Sequence, residues 1–388
     1  MPLIAAALAT IVVAGLVYLH PLFPTSHSVL VAAPSPTPPL VPQRYLASYD
    51  FLTATAGWAL VEEASSAAPG FWVFKTTDAA RHWQREFTGS AMSTNAGPLK
   101  IQFFDRNNGL IALGGTGAVY RTGDGGAHWM ALTMPTLSYS SLYFSDRLHG
   151  WSLGTVLSPD LQRSPDVQFF STSDAGDHWA ALPQPPAWQS AGKGGFGNVV
   201  FRSPSDGWSG GSTPDRATVY SSIDGGVTWL AHPLPVMVVG KGGFADGKAQ
   251  PVESTVALLP GAGVLAVVFD PNGTPVGLTS FDGGSTWRRL APPPGSTGYG
   301  DFIFEDTFHW WAMRFGTLFK SSDAGQTWKQ VSLQLDDWDY LLLVIDAKHA
   351  WAQLVPTFPH TSLPQGTGLA TTADGGLHWS PANVPNPS

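Results

Sequence analysis

Cysteine is absent from all 388 residues, and charged residues make up only 12% of them. Without a thiol there is no disulfide framework, no thiolate metal site, no cysteine nucleophile and no lipidated N-terminal cysteine. The sparse charge is acidic on balance, 20 Lys+Arg against 28 Asp+Glu, for a formal net charge of -8. That argues against a nucleic-acid partner, which would need a basic stripe. No H-E-x-x-H or comparable ligand spacing occurs, so neither a metal nor a cofactor is expected. What the chain has instead is 43 Gly, 33 Pro and 16 Trp, with 43% hydrophobic residues. That composition suits many short strands joined by tight turns, not disorder.

One segment stands apart. Leu3 to Leu19 is an apolar run without a charge, close to the ~20 residues that span a bilayer. Residues 1–23 are expected to form a transmembrane signal anchor. A cleaved signal peptide is the alternative, although the start lacks Lys or Arg and the best cleavage site, Val31-Ala32-Ala33, is followed by Pro34. In either case the remainder is exported, held at the cell membrane or secreted. Residues 24–44 read as a linker whose stretch from Pro34 to Pro42 favours extended polyproline geometry. The body is 45–388.

Within the body an eight-residue phrase, Ser/Thr-x-Asp-x-Gly-x-x-Trp, recurs seven times in near-identical form. Its aspartates are Asp78, Asp124, Asp174, Asp224, Asp282, Asp323 and Asp374; its tryptophans are Trp83, Trp129, Trp179, Trp229, Trp287, Trp328 and Trp379. Successive tryptophans lie 46, 50, 50, 58, 41 and 51 residues apart. A period of ~40–50 residues is that of a propeller. Each unit reads strand, polar turn, a second strand often opened by Gly-Trp, a third strand, the phrase, and a fourth strand. The fifth unit, around Ser254 to Val268, has lost that Trp. The fold expected is all-β, a seven-bladed propeller of four-stranded antiparallel blades behind an N-terminal hydrophobic helix.

The phrase has a physical reading. The Asp carboxylate accepts N–H groups of the following turn, the Ser/Thr hydroxyl adds a local bond, and the Gly supplies an angle that side chains resist. Alone among the seven, the first copy has Ala79-Ala80-Arg81 after its Asp, so its turn is expected to be remodelled. A phrase tryptophan, if fully buried, is worth ~3–5 kcal/mol. These residues at this spacing resemble the Asp-box, or BNR repeat. The body is thus similar to Asp-box propellers: bacterial sialidases, sortilin-type receptors, xyloglucanases and, most closely, photosystem II assembly-factor propellers. The resemblance implies that the box is a structural turn at the blade periphery, away from the binding face.

Candidate chemistry is thin. One carboxylate per box is too few for Ca²⁺, which takes six to eight oxygens. His82, His128, His178 and His378 precede box tryptophans where other copies have Thr228, Thr286 and Thr327; that interchange points to an exposed position. The sialidase resemblance implies an arginine triad, for which Arg106, Arg147 and Arg202 are the candidates, though the Arg-Ile-Pro phrase is missing. Acidic neighbours such as Glu305-Asp306 or Asp336-Asp337-Asp339 do not define a hydrolytic pair. Gly192-Lys193-Gly194-Gly195-Phe196 returns as Gly240-Lys241-Gly242-Gly243-Phe244, and the stretch from Ala231 to Pro260 reads as an enlarged loop. The expectation is a monomeric, non-catalytic scaffold that binds protein or glycan on one propeller face. The candidate contacts are Arg106, Arg147, Arg202, Lys193 and Lys241. A glycoside hydrolase acting on extracellular glycans is the alternative.

Overall fold

The computed structural model describes residues 45–63, 70–90, 99–113, 118–135, 138–156, 166–183, 198–212, 216–237, 254–269, 275–294, 301–314, 316–333, 340–354 and 368–387. They form seven four-stranded antiparallel sheets, each made of four consecutive strands. Blade 1 comprises Tyr45–Phe51, Gly57–Glu63, Gly70–Thr76 and Gln84–Ser90. The first strands of blades 2 to 7 are Lys100–Phe103, Ser138–Phe144, Val199–Phe201, Ser254–Leu258, Asp301–Phe304 and Tyr340–Val344. First strands of successive blades touch at four seams, between blades 1 and 2, 3 and 4, 4 and 5, and 6 and 7, which places them innermost. The expected N-terminal helix and linker lie outside the described residues; among those described, no helix is long and apolar enough to cross a membrane.

Among the described residues there are seven buried apolar clusters, and each straddles two consecutive blades. One joins Trp351, Leu369 and Ala382 of blade 7 to Tyr49, Phe51 and Ala59 of blade 1, so the ring is closed. It closes without strand exchange. Trp83 Nε1 donates to the Asn383 carbonyl at 2.8 Å, Arg85 to that of Pro387, and Gln353 Nε2 to that of Ala47.

A two-residue code recurs in four of the seven blades. The last residue of the first strand pairs directly with the first residue of the second: Phe51 with Gly57, Phe103 with Gly109, Phe144 with Gly150, Phe201 with Gly207. A Cβ on any of these glycines would come within 2.2–2.7 Å of the opposing ring. Glycine is thus the consequence of an aromatic lying flat across the hairpin. The second residue of the second strand, which follows the glycine or, in blade 7, Ala350, packs on the next blade. Trp58 stacks on Phe103 at 3.8 Å, Trp151 on Phe201 at 3.6 Å and Trp351 on Phe51 at 3.8 Å.

The structure bears on two readings of the sequence. The box tryptophans are mostly half-buried; among them only Trp379 is buried, at 6%. The fully buried indoles are Trp58, Trp310, Trp311 and Trp351, because these lie between blades while the box indoles sit at the outer rim. Nor is the stretch from Ala231 to Pro260 all loop: Leu230–Met237 and Ser254–Leu258 are strands, and residues 238–253 lie outside the description.

Candidate functional site

The box hairpins share one hydrogen-bond scheme. In each, the Ser/Thr hydroxyl donates to Asp Oδ1 at 2.8–2.9 Å, as Thr122 does to Asp124 and Ser222 to Asp224. The same hydroxyl accepts the N–H two residues after the Asp, at 2.8–3.1 Å. Oδ1 also takes the N–H four residues on, at 2.8–3.0 Å. The residue at that fourth place closes the ring through its side chain. His82, His128, His178 and His378 set Nδ1 at 2.6–2.7 Å from Asp Oδ2, and Thr228, Thr286 and Thr327 donate their hydroxyl to it at 2.6 Å. Histidine and threonine interchange there because both offer a donor at the same reach. The position is exposed, as the sequence suggested, but it is also bonded.

These bonds hold the carboxylates ionised. Hydrogen bonds from His82, backbone first and ring second, bring Asp78 down to about 2. Those from His178 and His378 do the same for Asp174 and Asp374, and the Thr286 hydroxyl and N–H for Asp282. The reciprocal effect raises His178, through its hydrogen bond to Asp174.

Box 1 is not remodelled. Ala79 and Ala80 adopt φ of 61° and 62°, the left-handed region that the paired glycines occupy elsewhere, and Ala80 N–H still reaches Thr76 Oγ1 at 3.1 Å. The bonds around the turn outweigh a strain of ~1–2 kcal/mol per residue. Ala80 is fully buried and packs in the same cluster as Ala382. In box 3 the corresponding Gly176 would place a Cβ 2.8 Å from Leu132 of the preceding blade.

Antiparallel order puts the box hairpin and the turn between first and second strands at the same end of every blade. In six blades they are bonded: the N–H after the box Asp donates to that turn, as Gly125 to Asn107, Ala175 to Leu148, Gly225 to Ser205 and Gly375 to Lys348, and likewise Ala79 to Thr55 and Ala324 to Phe308. The turns carrying Arg106, Arg147 and Arg202 therefore share the box face. The boxes cannot lie away from the binding surface if these arginines form it.

The three arginines differ in employment. Arg202 is half-buried, bonded to Asp206 at 2.5 Å and to the Gly263 carbonyl of blade 5 at 2.6 Å; it locks a seam. Arg106 and Arg147 are exposed, and Arg147 lies near enough to blade 2's turn to help lower Asp105, behind the hydrogen bonds from Asn108 and Asn107. Lys193 and Lys241 lie outside the described residues.

Another set of cations went unnoticed in the sequence because it occupies only some repeats. The residue before the box reaches the following blade. Arg121 donates to the carbonyls of Asp174 and Ala175 at 3.3 and 3.2 Å and pairs with Asp177 at 2.7 Å. Lys320 donates to Ala347 and lies over the Trp311 ring. In blade 4 that place is Ser221, bonded at 2.8 Å to His232, whose ring stacks on Trp208.

Two clefts open on the box face. One, of about 670 Å³, lies between blades 2 and 3, with Phe104, Trp129, Met130 and Leu148 as apolar walls and Arg121 and Arg147 in its lining. The other, of about 490 Å³, lies between blades 7 and 1. On the innermost strands, Asp50 accepts the Phe103 N–H at 2.5 Å. Burial raises its carboxyl despite that bond and nearby Lys100, and burial lowers Lys100 in turn. Among the described residues no three His, Cys, Asp or Glu side chains gather as a metal site requires.

No protein-family model matches the chain, and no curated protein matches it in sequence. Its likeness is to solved structures. YCF48 bound to a D1 peptide is 18% identical, with 74% of this chain and 81% of that one covered, at a TM-score of 0.50. An uncharacterised Listeria monocytogenes protein is 10% identical over 89% of this chain and 97% of that one, also at 0.50. Prolyl oligopeptidase B from Galerina marginata is 9% identical over 88% of this chain and 51% of that one, at 0.55. At these identities the likeness is one of fold: a β-propeller that recurs in catalytic and non-catalytic settings.

Proposed function

We propose that this chain is an Asp-box propeller, exported and held at a membrane by its N-terminal apolar run, that binds a segment of another protein on its box face. The observation that carries the reading is the division of labour among the cations. Arg121, Arg202 and Lys320 are committed to locking blades together, whereas Arg106 and Arg147 stand exposed. Arg147 lines the 670 Å³ cleft beside Phe104, Trp129, Met130 and Leu148. A cleft with apolar walls and an exposed guanidinium suits an extended peptide with apolar and acidic side chains. The YCF48 structure, which holds a D1 peptide, supports a peptide as the occupant of this kind of propeller. Box and turn aspartates such as Asp124 and Asp306 are held low by hydrogen bonds from their own histidines. Charges so fixed serve the turns.

The test is affinity capture from detergent-solubilised membranes with the full chain as bait. Capture of a discrete partner should be lost in an Arg106→Glu, Arg147→Glu double variant and retained in an Arg288→Glu, Arg289→Glu control on the outer edge of blade 5. Equal capture by both variants would overturn the assignment of the surface. Turnover of fluorogenic sialosides or β-glucans by the purified protein would overturn the scaffold reading in favour of a glycoside hydrolase.

A further inference from the structure

Seven seams built on one plan make each a control for the others, so a departure at one seam marks something the fold itself does not require. The seam between blades 7 and 1 departs at three places, and all three involve residues that line its 490 Å³ cleft.

The first is an N–H group. Trp58 donates its indole N–H to the Gly125 carbonyl in the next blade's box at 2.8 Å, and Trp151 donates to that of Gly225 at 2.9 Å. Trp351 keeps the same aromatic stack, on Phe51 at 3.8 Å, yet among the described residues its Nε1 has no acceptor. Trp351 is 1% exposed and forms part of the cleft lining. A bond made there would be shielded from water, where it counts most.

The second is a cation. Arg81 occupies a box position held elsewhere by Ala127, Asp177, Val227, Ser285, Gln326 and Leu377. Its backbone carbonyl takes the Asn383 side chain, but among the described residues its guanidinium has no ion pair. The third is the wall. Ala54, Ala79, Ala80, Ala373 and Ala382 line the cleft, where boxes 2 and 7 pair glycines and the fourth strand of blade 2 ends in Leu132.

We propose that this cleft binds a small monocarboxylate, its two oxygens taken by the Arg81 guanidinium and the Trp351 N–H and its apolar body lying over the alanines and Pro381. A planar guanidinium fork matches a carboxylate. The cleft's other charged and titratable groups decide the valence. His349 and His378 have their Nδ1 atoms committed to Asp346 and Asp374 at 2.9 and 2.6 Å. Asp374 also lines the cleft; its oxygens already take Thr372 and His378, but its charge remains. One cation against one carboxylate tolerates a monoanion and repels a dianion such as phosphate.

The experiment is a titration of the ¹⁵N-labelled full chain followed by its indole N–H resonances. Trp351 is assigned by the peak lost in Trp351→Phe, and the probes are propionate, benzoate and inorganic phosphate. Propionate and benzoate should move the Trp351 resonance saturably, Arg81→Ala should weaken the response about tenfold or more, and phosphate should leave it in place. A Trp351 resonance that no probe moves would sink the proposal, as would a response undiminished in Arg81→Ala. Phosphate acting as strongly as the carboxylates would overturn the ligand class. Arg81→Ala changes a solvent-facing side chain, so failure to fold does not confound it, and the outcome is independent of whether the blade 2–3 surface captures a protein.

Discussion

Blades 3 and 5 are built on one plan and reach it with different residues. Blade 3 has Phe144 over Gly150 and then Trp151 stacked on Phe201. Blade 5 has Leu258 over Val264 and then Leu265, which packs against blade 6 beside Leu259, Leu290 and Trp310. The inter-turn bond that joins Gly125 to Asn107 in blade 2 has no counterpart among the described residues of blade 5. Its outer strand is only Arg288–Arg289. The box, however, is intact: Ser280, Asp282 and Thr286 make the same bonds as elsewhere. What the comparison teaches is that the box is the invariant of a blade, whereas the pair across the first hairpin is exchanged as a unit. In four blades a Phe ring lies over a glycine, in blade 5 a leucine lies over a valine, and in blade 6 Phe304 meets Trp310 edge-on.

The largest way to break this comparison is to empty a seam. Trp58→Ala should cost ~3–5 kcal/mol, more than Leu265→Ala, since the indole is fully buried and also loses its bond to Gly125. Denaturant unfolding of the two variants measures the difference. A smaller cost for Trp58 would mean that the Trp–Phe stacks do not carry the seams.

Next is the exchange rule itself. A Cβ at residue 150 would meet the Phe144 ring at 2.6 Å, so Gly150→Val should destabilise by ~1–3 kcal/mol through overpacking. Adding Phe144→Leu, which recreates blade 5's pair, should recover part of that loss. A double-mutant cycle measures the coupling, and simple additivity of the two costs would refute the rule.

The smallest expected effect concerns the feature the two blade types share. Asp78 and Asp282 both titrate near 2 when folded, below the ~3.9 of an unfolded aspartate. Their stabilisation is therefore complete above pH ~4 and is lost as pH falls toward 2. Asp78→Asn and Asp282→Asn should each flatten the acid limb of a stability–pH curve to a similar degree. A flattening seen only for Asp78, whose partner is His82, would show that histidine and threonine are not equivalent in the box.

Much of the fold was legible because it repeats. Seven copies of one phrase, in register with alternating strands, leave few architectures open, and the paired strands agree with that reading down to the hairpin that carries each box. The site was harder to read, for reasons visible in particular residues. The His/Thr interchange was correctly seen as exposed, but its bond to Asp Oδ2 shows only once the turn is folded. Ala79 and Ala80 suggested a remodelled turn because local preference was weighed without the Thr76 bonds that override it. Arg202 looked like a member of an arginine set with Arg106 and Arg147. Sequence spacing could not reveal that its guanidinium turns sideways to Gly263 of the next blade. The latch positions Arg121 and Lys320, with Lys75 at the same place in blade 1, carry little repeat signal, since Ser171, Ser221, Thr279 and Thr371 stand there in the other four blades.

Closure without strand exchange gives this ring an unusual freedom of connectivity. Every sheet is built from four consecutive strands, and the chain after the outer strand of blade 7 runs along the outer strand of blade 1, where Asn383 meets Trp83 and Pro387 meets Arg85. A linker from residue 387 to residue 45, as long as a natural inter-blade crossing, would do what the six natural crossings do. The molecule could then be cut at any of those crossings and still assemble the same circle, with its start and finish relocated to a blade of the experimenter's choosing.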